Sequence, residues 1–364
     1  MKTFECANCG HLIFFENEQC VHCGAQLGYL PDQRTMAVFA IKPDGTWEPL
    51  GVPLARSYQP CRNNVKEHVC NWMVSIEDKN CLCRSCRYTE IIPTLSLPGN
   101  AHYWYLLEAA KRRLFYSLDT LGLQIPSRTD DPQNGLTFQF LEDTPTIKVL
   151  TGHNSGLVTL NIVEADDAER DARRTSMGEP YRTLLGHFRH EIGHFYWDHL
   201  IANGPWLTPF RTIFGDEEQD YQEALRLHYE SGTPVDWQLN YISGYASMHP
   251  WEDWAESWAH YLHIVDTLET AHCWGARIHV NNQPSTSVST VGSEMESLTF
   301  RSLLINQWLP LTQFLNSMNR SMGQQDMYPF VLPDTVINKL AFIDHLVRSS
   351  RNIGFTSWPP PFVS

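Results

Sequence analysis

The pentad His190-Glu191-Ile192-Gly193-His194 constrains this chain more than any other stretch. Residues four apart on an α-helix share a face, so a helix here offers two imidazoles to one metal ion. Glu191 lies beside them, able to take a proton from a water that the metal activates. The flanking sequence reads as a buried helix. Gly178-Glu179-Pro180 offers a start, because proline is favoured at the first helical position. From Tyr181 to Leu200 the only glycines are Gly186 and Gly193. Leu184, Leu185, Phe188, Ile192, Phe195 and Tyr196 recur every three to four residues. Burying two histidines and a glutamate in such a helix is costly unless they are partnered, and a zinc ion is a suitable partner. His187 shares roughly the same face and reads as a structural or supporting residue.

A second helical stretch carries carboxylates. Pro250 to His260 opens a long helix whose apolar stripe is Trp251, Ala255, Trp258, Leu262 and Val265. Glu252 and Glu256 share a different face. A catalytic zinc takes three protein ligands and keeps a position for water. One glutamate can complete the set while the other holds a ligand histidine by its second ring nitrogen. Spacing alone leaves both assignments open.

Nine of the ten cysteines precede residue 87. Cys6-x2-Cys9 and Cys20-x2-Cys23 are two knuckles, each followed by a glycine, Gly10 and Gly24. Four thiolates so spaced form a zinc ribbon, in which the metal replaces a core too small to fold alone. Cys61, Cys70, Cys81, Cys83 and Cys86 form a second group. Cys83-x2-Cys86 is its clear knuckle, and Cys61 with Cys70 is the complementary pair for a second structural zinc, leaving Cys81 spare. Cys273 stands alone and reads as a buried small hydrophobe.

HEIGH followed by EDWAE resembles the gluzincin arrangement. More narrowly, TGHNSGLVTLNIVEADDAERDARR, YRTLLGHFRHEIGHFYWDHL, FGDEEQDY and HPWEDWAESWAHYLHIVDTL resemble a bacterial family of zinc-binding metallopeptidases with an N-terminal zinc ribbon. The likeness spans most of residues 1 to 350. It implies a zincin-type fold and peptide-bond hydrolysis with Glu191 as base. By the same analogy His190, His194 and Glu252 are the zinc ligands and Glu256 supports one of them. In some gluzincins a tyrosine just upstream of the ligand glutamate faces the tetrahedral intermediate, which points to Tyr245; Tyr241 and His249 are rival donors.

The expected fold class is therefore α+β: a zinc ribbon over 1–30, a Cys-rich β module over 31–95, and a mainly helical zincin-like domain over 96–364 with a small sheet. Gly28-Tyr29-Leu30-Pro31 reads as a linker. Strands are expected at 36–41, 136–141, 147–150 and 157–162, and helices at 103–121, 216–230, 234–246, 251–272, 298–320 and 334–350. The prolines of Trp358 to Phe362 predict an extended tail. Gly215 to Asp220 packs four acids where a helix begins, as the macrodipole favours.

A net charge of −14 argues against broad nucleic-acid affinity. Lys111-Arg112-Arg113 and Arg170, Arg173 and Arg174 read as solvated helix faces. No apolar run reaches the length of a membrane span, and Met1 to Cys6 runs straight into a metal motif without a signal peptide, so a cytoplasmic location is expected. The expected partners are a peptide or protein substrate and a protein bound through the ribbon. A different class stays open: an adaptor on a zincin scaffold that no longer turns over. The intact Glu191 weighs against it, because a purely structural metal site needs no base.

Overall fold

The computed structural model describes residues 1–52, 56–176, 182–278, 286–288 and 299–350. The chain is α+β, and its described residues fall into two compact units. The first draws on Met1–Ser117, Ile125–Ile192 and Val265–Val291, the second on Leu118–Gln124, Gly193–Ile264 and Gly292–Ser364.

The first unit begins with the hairpin of β1 (Phe4–Glu5) and β2 (Leu12–Ile13). The expected linker is instead strand β3, Gln26–Leu30. Its Tyr29 and Leu30 are buried, and a Cβ on Gly28 would lie 2.6 Å from Met73 Sδ. The glycine that reads as a break makes room for a core methionine. β3 pairs with β4 (Thr35–Ile41), which pairs with β5 (Trp47–Leu50). β6 (Tyr58–Pro60) precedes helix α1 (Arg62–Glu67), and β7 (Met73–Ser75) completes a five-stranded sheet in sequence order. Leu30, Ala37, Phe39, Tyr58 and Met73 form its core, with Trp47 and Val52 against them.

A second sheet holds β8 (Thr89–Ile91), β9 (Thr137–Leu141), β10 (Gly152–Asn154) and β11 (Leu157–Asn161), in the order β10-β11-β9-β8. β9 runs parallel to both β8 and β11, and β10 is an antiparallel edge. Residues 147–150 form no strand. Asp143 Oδ1 accepts the Val149 N–H at 2.9 Å and Thr144 Oγ1 accepts that of Ile147 at 3.0 Å, so side chains take the donors a ladder would use. Helix α2 (Asn100–Leu121) packs Phe115 against Tyr88 and Phe138, at 4.9 and 6.3 Å between ring centroids. α3 spans Asp167–Ser176.

α4 (Leu184–Leu200) carries the pentad. The start expected at Gly178–Pro180 lies outside the described residues. The helix begins at Leu184, and the Thr183 hydroxyl accepts the Gly186 N–H at 3.0 Å, an N-cap bond. Within the first unit Phe188 meets Phe138 at 5.7 Å, seating α4 on the sheet.

The second unit is helical among its described residues. α5 (Leu207–Phe214), α6 (Tyr221–Ser231) and α7 (Pro250–Cys273) are followed by α8 (Phe300–Leu303), a π-helical turn at Leu304–Trp308, α9 (Leu309–Ser321) and α10 (Asp334–Ser350). Pro310 has no N–H for the regular helical bond, which accounts for the π turn before it. The helix expected over 234–246 is two short 3-10 turns, Trp237–Leu239 and Tyr245–Ser247. Gly232, Pro234 and Gly244 deny that segment a continuous α-helix. An aromatic run binds the unit: Tyr196 stacks on Trp258 at 4.9 Å, Trp258 meets Trp254 at 5.4 Å, and Trp254 meets Phe214 at 5.7 Å.

β12 (Arg277–Ile278) and β13 (Thr286–Ser287) form a small hairpin. The Trp358 to Phe362 tail lies outside the described residues. Among these residues no helix is long and apolar enough to cross a membrane.

Candidate metal centres

Among the described residues, three groups of side chains have the spacing of metal ligands: Cys6, Cys9, Cys20 and Cys23; Cys61, Cys70, Cys83 and Cys86; and His190, His194 and Glu252. In each, the donor atoms lie within 4.8 Å of one another.

The first group is shaped by its turns. Gly10 and Gly24 adopt φ of 72° and 73°. Their N–H groups return to the carbonyls of Cys6 and Cys20 at 2.7 and 2.9 Å, closing each knuckle. Cys6 Sγ lies 3.7 Å from Cys23 Sγ, and Cys9 Sγ lies 3.8 Å from Cys20 Sγ. A tetrahedral zinc with Zn–S bonds of about 2.3 Å spaces its sulfurs about 3.8 Å apart. A disulfide would bring them to about 2.05 Å. The donor set fits zinc.

The second group is buried. Cys70 and Cys83 are 3.6 Å apart, and backbone N–H groups of Trp72, Cys83 and Cys86 reach the sulfurs of Cys70, Cys61 and Cys83 at 3.4, 3.2 and 3.5 Å. Such bonds favour thiolates. Cys81 is exposed and outside the cluster. Cys273 is only half-buried, because it ends α7.

Around this centre α2 departs from expectation. Lys111 and Arg112 are buried, not solvated. Lys111 Nζ pairs with buried Glu108 at 3.0 Å, and Arg112 Nη1 donates to the Val69 carbonyl at 2.6 Å. Burial alone would lower the Arg112 pKa, yet the Cys70 and Cys86 thiolates and Glu108 hold it raised. Glu108 Oε2 lies 3.8 Å from Cys86 Sγ, and burial pushes its carboxyl up while Lys111 opposes.

The third group sits on α4 and α7. His190 and His194 are one turn apart. His194 Nε2 lies 3.5 Å from Glu252 Oε2. Ligands about 2.05 Å from a tetrahedral ion stand about 3.3 Å apart, so this donor set also fits zinc. Glu191, His194 and Glu252 are buried, at 7, 3 and 2 % exposure. Undressed by a partner, such a cluster would be unfavourable.

Two features of α7 bring Glu252 here. A Cβ on Gly193 would lie 3.0 Å from Ala255 Cα and 3.2 Å from Trp258 Cβ, so only glycine lets the helices approach so closely. Trp254 Nε1 then donates to the Gly193 carbonyl at 2.8 Å, locking the crossing. His249 Nδ1 accepts the Trp251 N–H at 3.1 Å, which caps α7 and puts the ring proton on Nε2, aimed at the Gln219 carbonyl at 3.2 Å.

Further side chains complete the surroundings. The Trp251 ring lies 3.7 Å from that of His194. Burial lifts the Asp198 carboxyl to about 6, against the pull of His194. Glu256 Oε2 accepts from Ser243 Oγ at 2.6 Å, and its charge acts on buried His260, whose pKa burial lowers to about 4. Asp253 is pushed up to about 7 by burial although Lys339 Nζ sits 2.6 Å away. Burial first, and then the Glu252 charge and the nearby Tyr221, drive the Tyr245 phenol far above the usual range. Of its rivals, Tyr241 lies under the Lys339 ammonium at 4.4 Å, and His249 is engaged in the cap.

Sequence reasoning gave Tyr221 no role. Its hydroxyl donates to Glu252 Oε1 at 2.8 Å. Trp251 was visible only as part of an apolar stripe. His187 turns from the pentad to Glu164, with Nε2 3.1 Å from Oε2. The acids of 216–220 are spent locally: Asp220 Oδ1 caps α6 through the Glu223 N–H at 3.0 Å, and Glu217 and Glu218 pair with Arg211.

These centres define an α+β protein built to bind zinc, with four-thiolate clusters toward the N-terminus and a His-His-carboxylate triad on its helices. A family model described as "Putative zinc-binding metallo-peptidase" matches residues 100–346, and one described as "zinc-ribbon domain" matches residues 3–97. The chain belongs to this zinc-binding metallopeptidase family. It is 40% identical over 348 residues to uncharacterized proteins of Mycobacterium bovis and of two Mycobacterium tuberculosis strains, covering 95% of each chain. No solved structure matches it.

Proposed function

We propose that the chain is a zinc-dependent peptidase of gluzincin type, acting on a peptide or protein through His190, Glu191, His194 and Glu252. The observation that carries the reading is the 3.5 Å spacing of His194 Nε2 and Glu252 Oε2, with His190 one turn away and Glu191 buried beside them. Zinc held by the two imidazoles and Glu252 would polarise the scissile carbonyl and acidify a water.

Glu191 acts as general base. It takes a proton as the water oxygen attacks the carbonyl carbon, then delivers it to the amide nitrogen as the C–N bond breaks, leaving a carboxylic acid and an amine. Tyr245 is the candidate donor to the developing oxyanion by the gluzincin analogy. Glu256, held by Ser243, is a supporting carboxylate. β10, the edge strand of its sheet among the described residues, is the strand that an extended peptide would join.

The test is digestion of a peptide library by the zinc-loaded protein, read by mass spectrometry. Glu191→Gln should keep its zinc and lose ~10²–10⁴ in turnover. Equal cleavage by Glu191→Gln, or no cleavage by fully loaded wild type, would remove the peptidase reading.

A further inference from the structure

We propose that Tyr221 is a positioning residue for the metal centre: its phenol holds Oε1 of Glu252 so that Oε2 alone is presented to the histidine pair. The inference rests on the reading of His190, His194 and Glu252 as ligands.

The geometry is specific. Tyr221 Oη donates to Oε1 at 2.8 Å, while Oε2 is the oxygen 3.5 Å from His194 Nε2. A carboxylate can bind a metal through one oxygen or both. A donor fixed on one oxygen removes it from competition, favours single-oxygen ligation, and fixes the carboxylate plane. Ligand carboxylates and imidazoles with such partners are held in the geometry the metal needs, which lowers the cost of binding.

The position of Tyr221 is itself constrained. It is the first residue of α6, a helix none of whose residues is buried. Most of α6 contributes little to the core, so its start is held by other means. Gln219 receives the His249 ring N–H at 3.2 Å, and Asp220 caps the helix. The Tyr221 ring stands edge-on to His249 and Trp251, at 5.3 and 6.0 Å. The chain from 219 to 221 is thereby tied to the first turn of α7, where Glu252 sits.

Proton order follows from the partners. Glu252 as a carboxylate only accepts, so Tyr221 gives its single proton to Oε1. Loss of the Tyr221 hydroxyl therefore loosens Glu252.

The experiment measures zinc affinity by chelator competition in full-length wild type, Tyr221→Phe, Glu252→Ala and the double variant. Cobalt(II) spectra of the third site and far-UV circular dichroism accompany it. Tyr221→Phe should keep its fold and both four-thiolate metals, weaken the third site about 10–100-fold, and shift the cobalt spectrum. In the Glu252→Ala background the same change should cost nothing further. Loss of the third metal in Glu252→Ala with wild-type affinity and spectrum in Tyr221→Phe would overturn the Tyr221 proposal alone. A third metal retained in full by Glu252→Ala would overturn the ligand reading and this proposal together. An equal loss from Tyr221→Phe with and without Glu252 would make the tyrosine a general packing residue and overturn its role here.

Discussion

Glu164 is a single carboxylate on which two arginines and a histidine converge. Its side chain is 1 % exposed, with Arg173 and Arg182 each 2.9 Å from Oε1 and His187 3.1 Å from Oε2. Burial would raise its pKa, but the His187 and Arg182 hydrogen bonds and charges prevail and lower it to about 2. The folded value is depressed, so the stabilisation is present above the unfolded carboxylate value and is lost as pH falls through the folded one. The window runs from pH ~4.5 down to ~2, and the contribution is roughly 3 kcal/mol. Wild type should lose melting temperature across that window faster than Glu164→Gln, whose lower stability at neutral pH should vary less with acid. Parallel curves for the two proteins would show that Glu164 carries no such linkage.

At the scale of elements the decisive contact is the crossing of α4 and α7. Gly193→Ala would press a methyl group onto Ala255 and Trp258 at 3.0 and 3.2 Å. Overpacking of this kind costs ~1–3 kcal/mol, so the variant should melt several degrees lower. An unchanged melting temperature would show that the crossing tolerates a wider gap. What the sequence discloses about such elements depends on range. α2, α4, α7 and α10 are readable because their apolar residues repeat at helical spacing, and the knuckles because their ligands are neighbours in the chain. Tyr221 is not readable, because its partner lies 31 residues on and the link exists only once α6 and α7 are folded. The burial of Lys111 and Arg112 is hidden for the same reason: nothing local distinguishes them from a solvated basic face. Gly28 and Pro31 mimic a linker, whereas Met73, far along the chain, explains the glycine. The 234–246 stretch shows the reverse error, in which a helical pattern is overruled by its own Gly and Pro.

At the scale of the molecule, the three donor clusters among the described residues predict three zinc ions per chain, measurable by elemental analysis of the purified protein. Cys6→Ser should remove one ion, two of whose ligands, Cys9 and Cys23, are exposed, with little effect elsewhere. Cys70→Ser should remove another and lower global stability far more, because that cluster is buried. Retention of all three ions in a Cys6→Ser, Cys9→Ser double variant would exclude the ribbon as a metal site. The difference between the two thiolate centres reaches beyond their ligands. Four thiolates around one divalent ion retain a net double negative charge, and Arg112 is buried close enough to feel it. Withdraw the metal and let the thiols take up protons, and an interior guanidinium loses part of its counter-charge in the middle of α2, with Glu108 left to oppose it. The longest helix ahead of the pentad would then be weakened from within. The stability of the fold would thereby follow the supply of zinc through a side chain that is not itself a ligand.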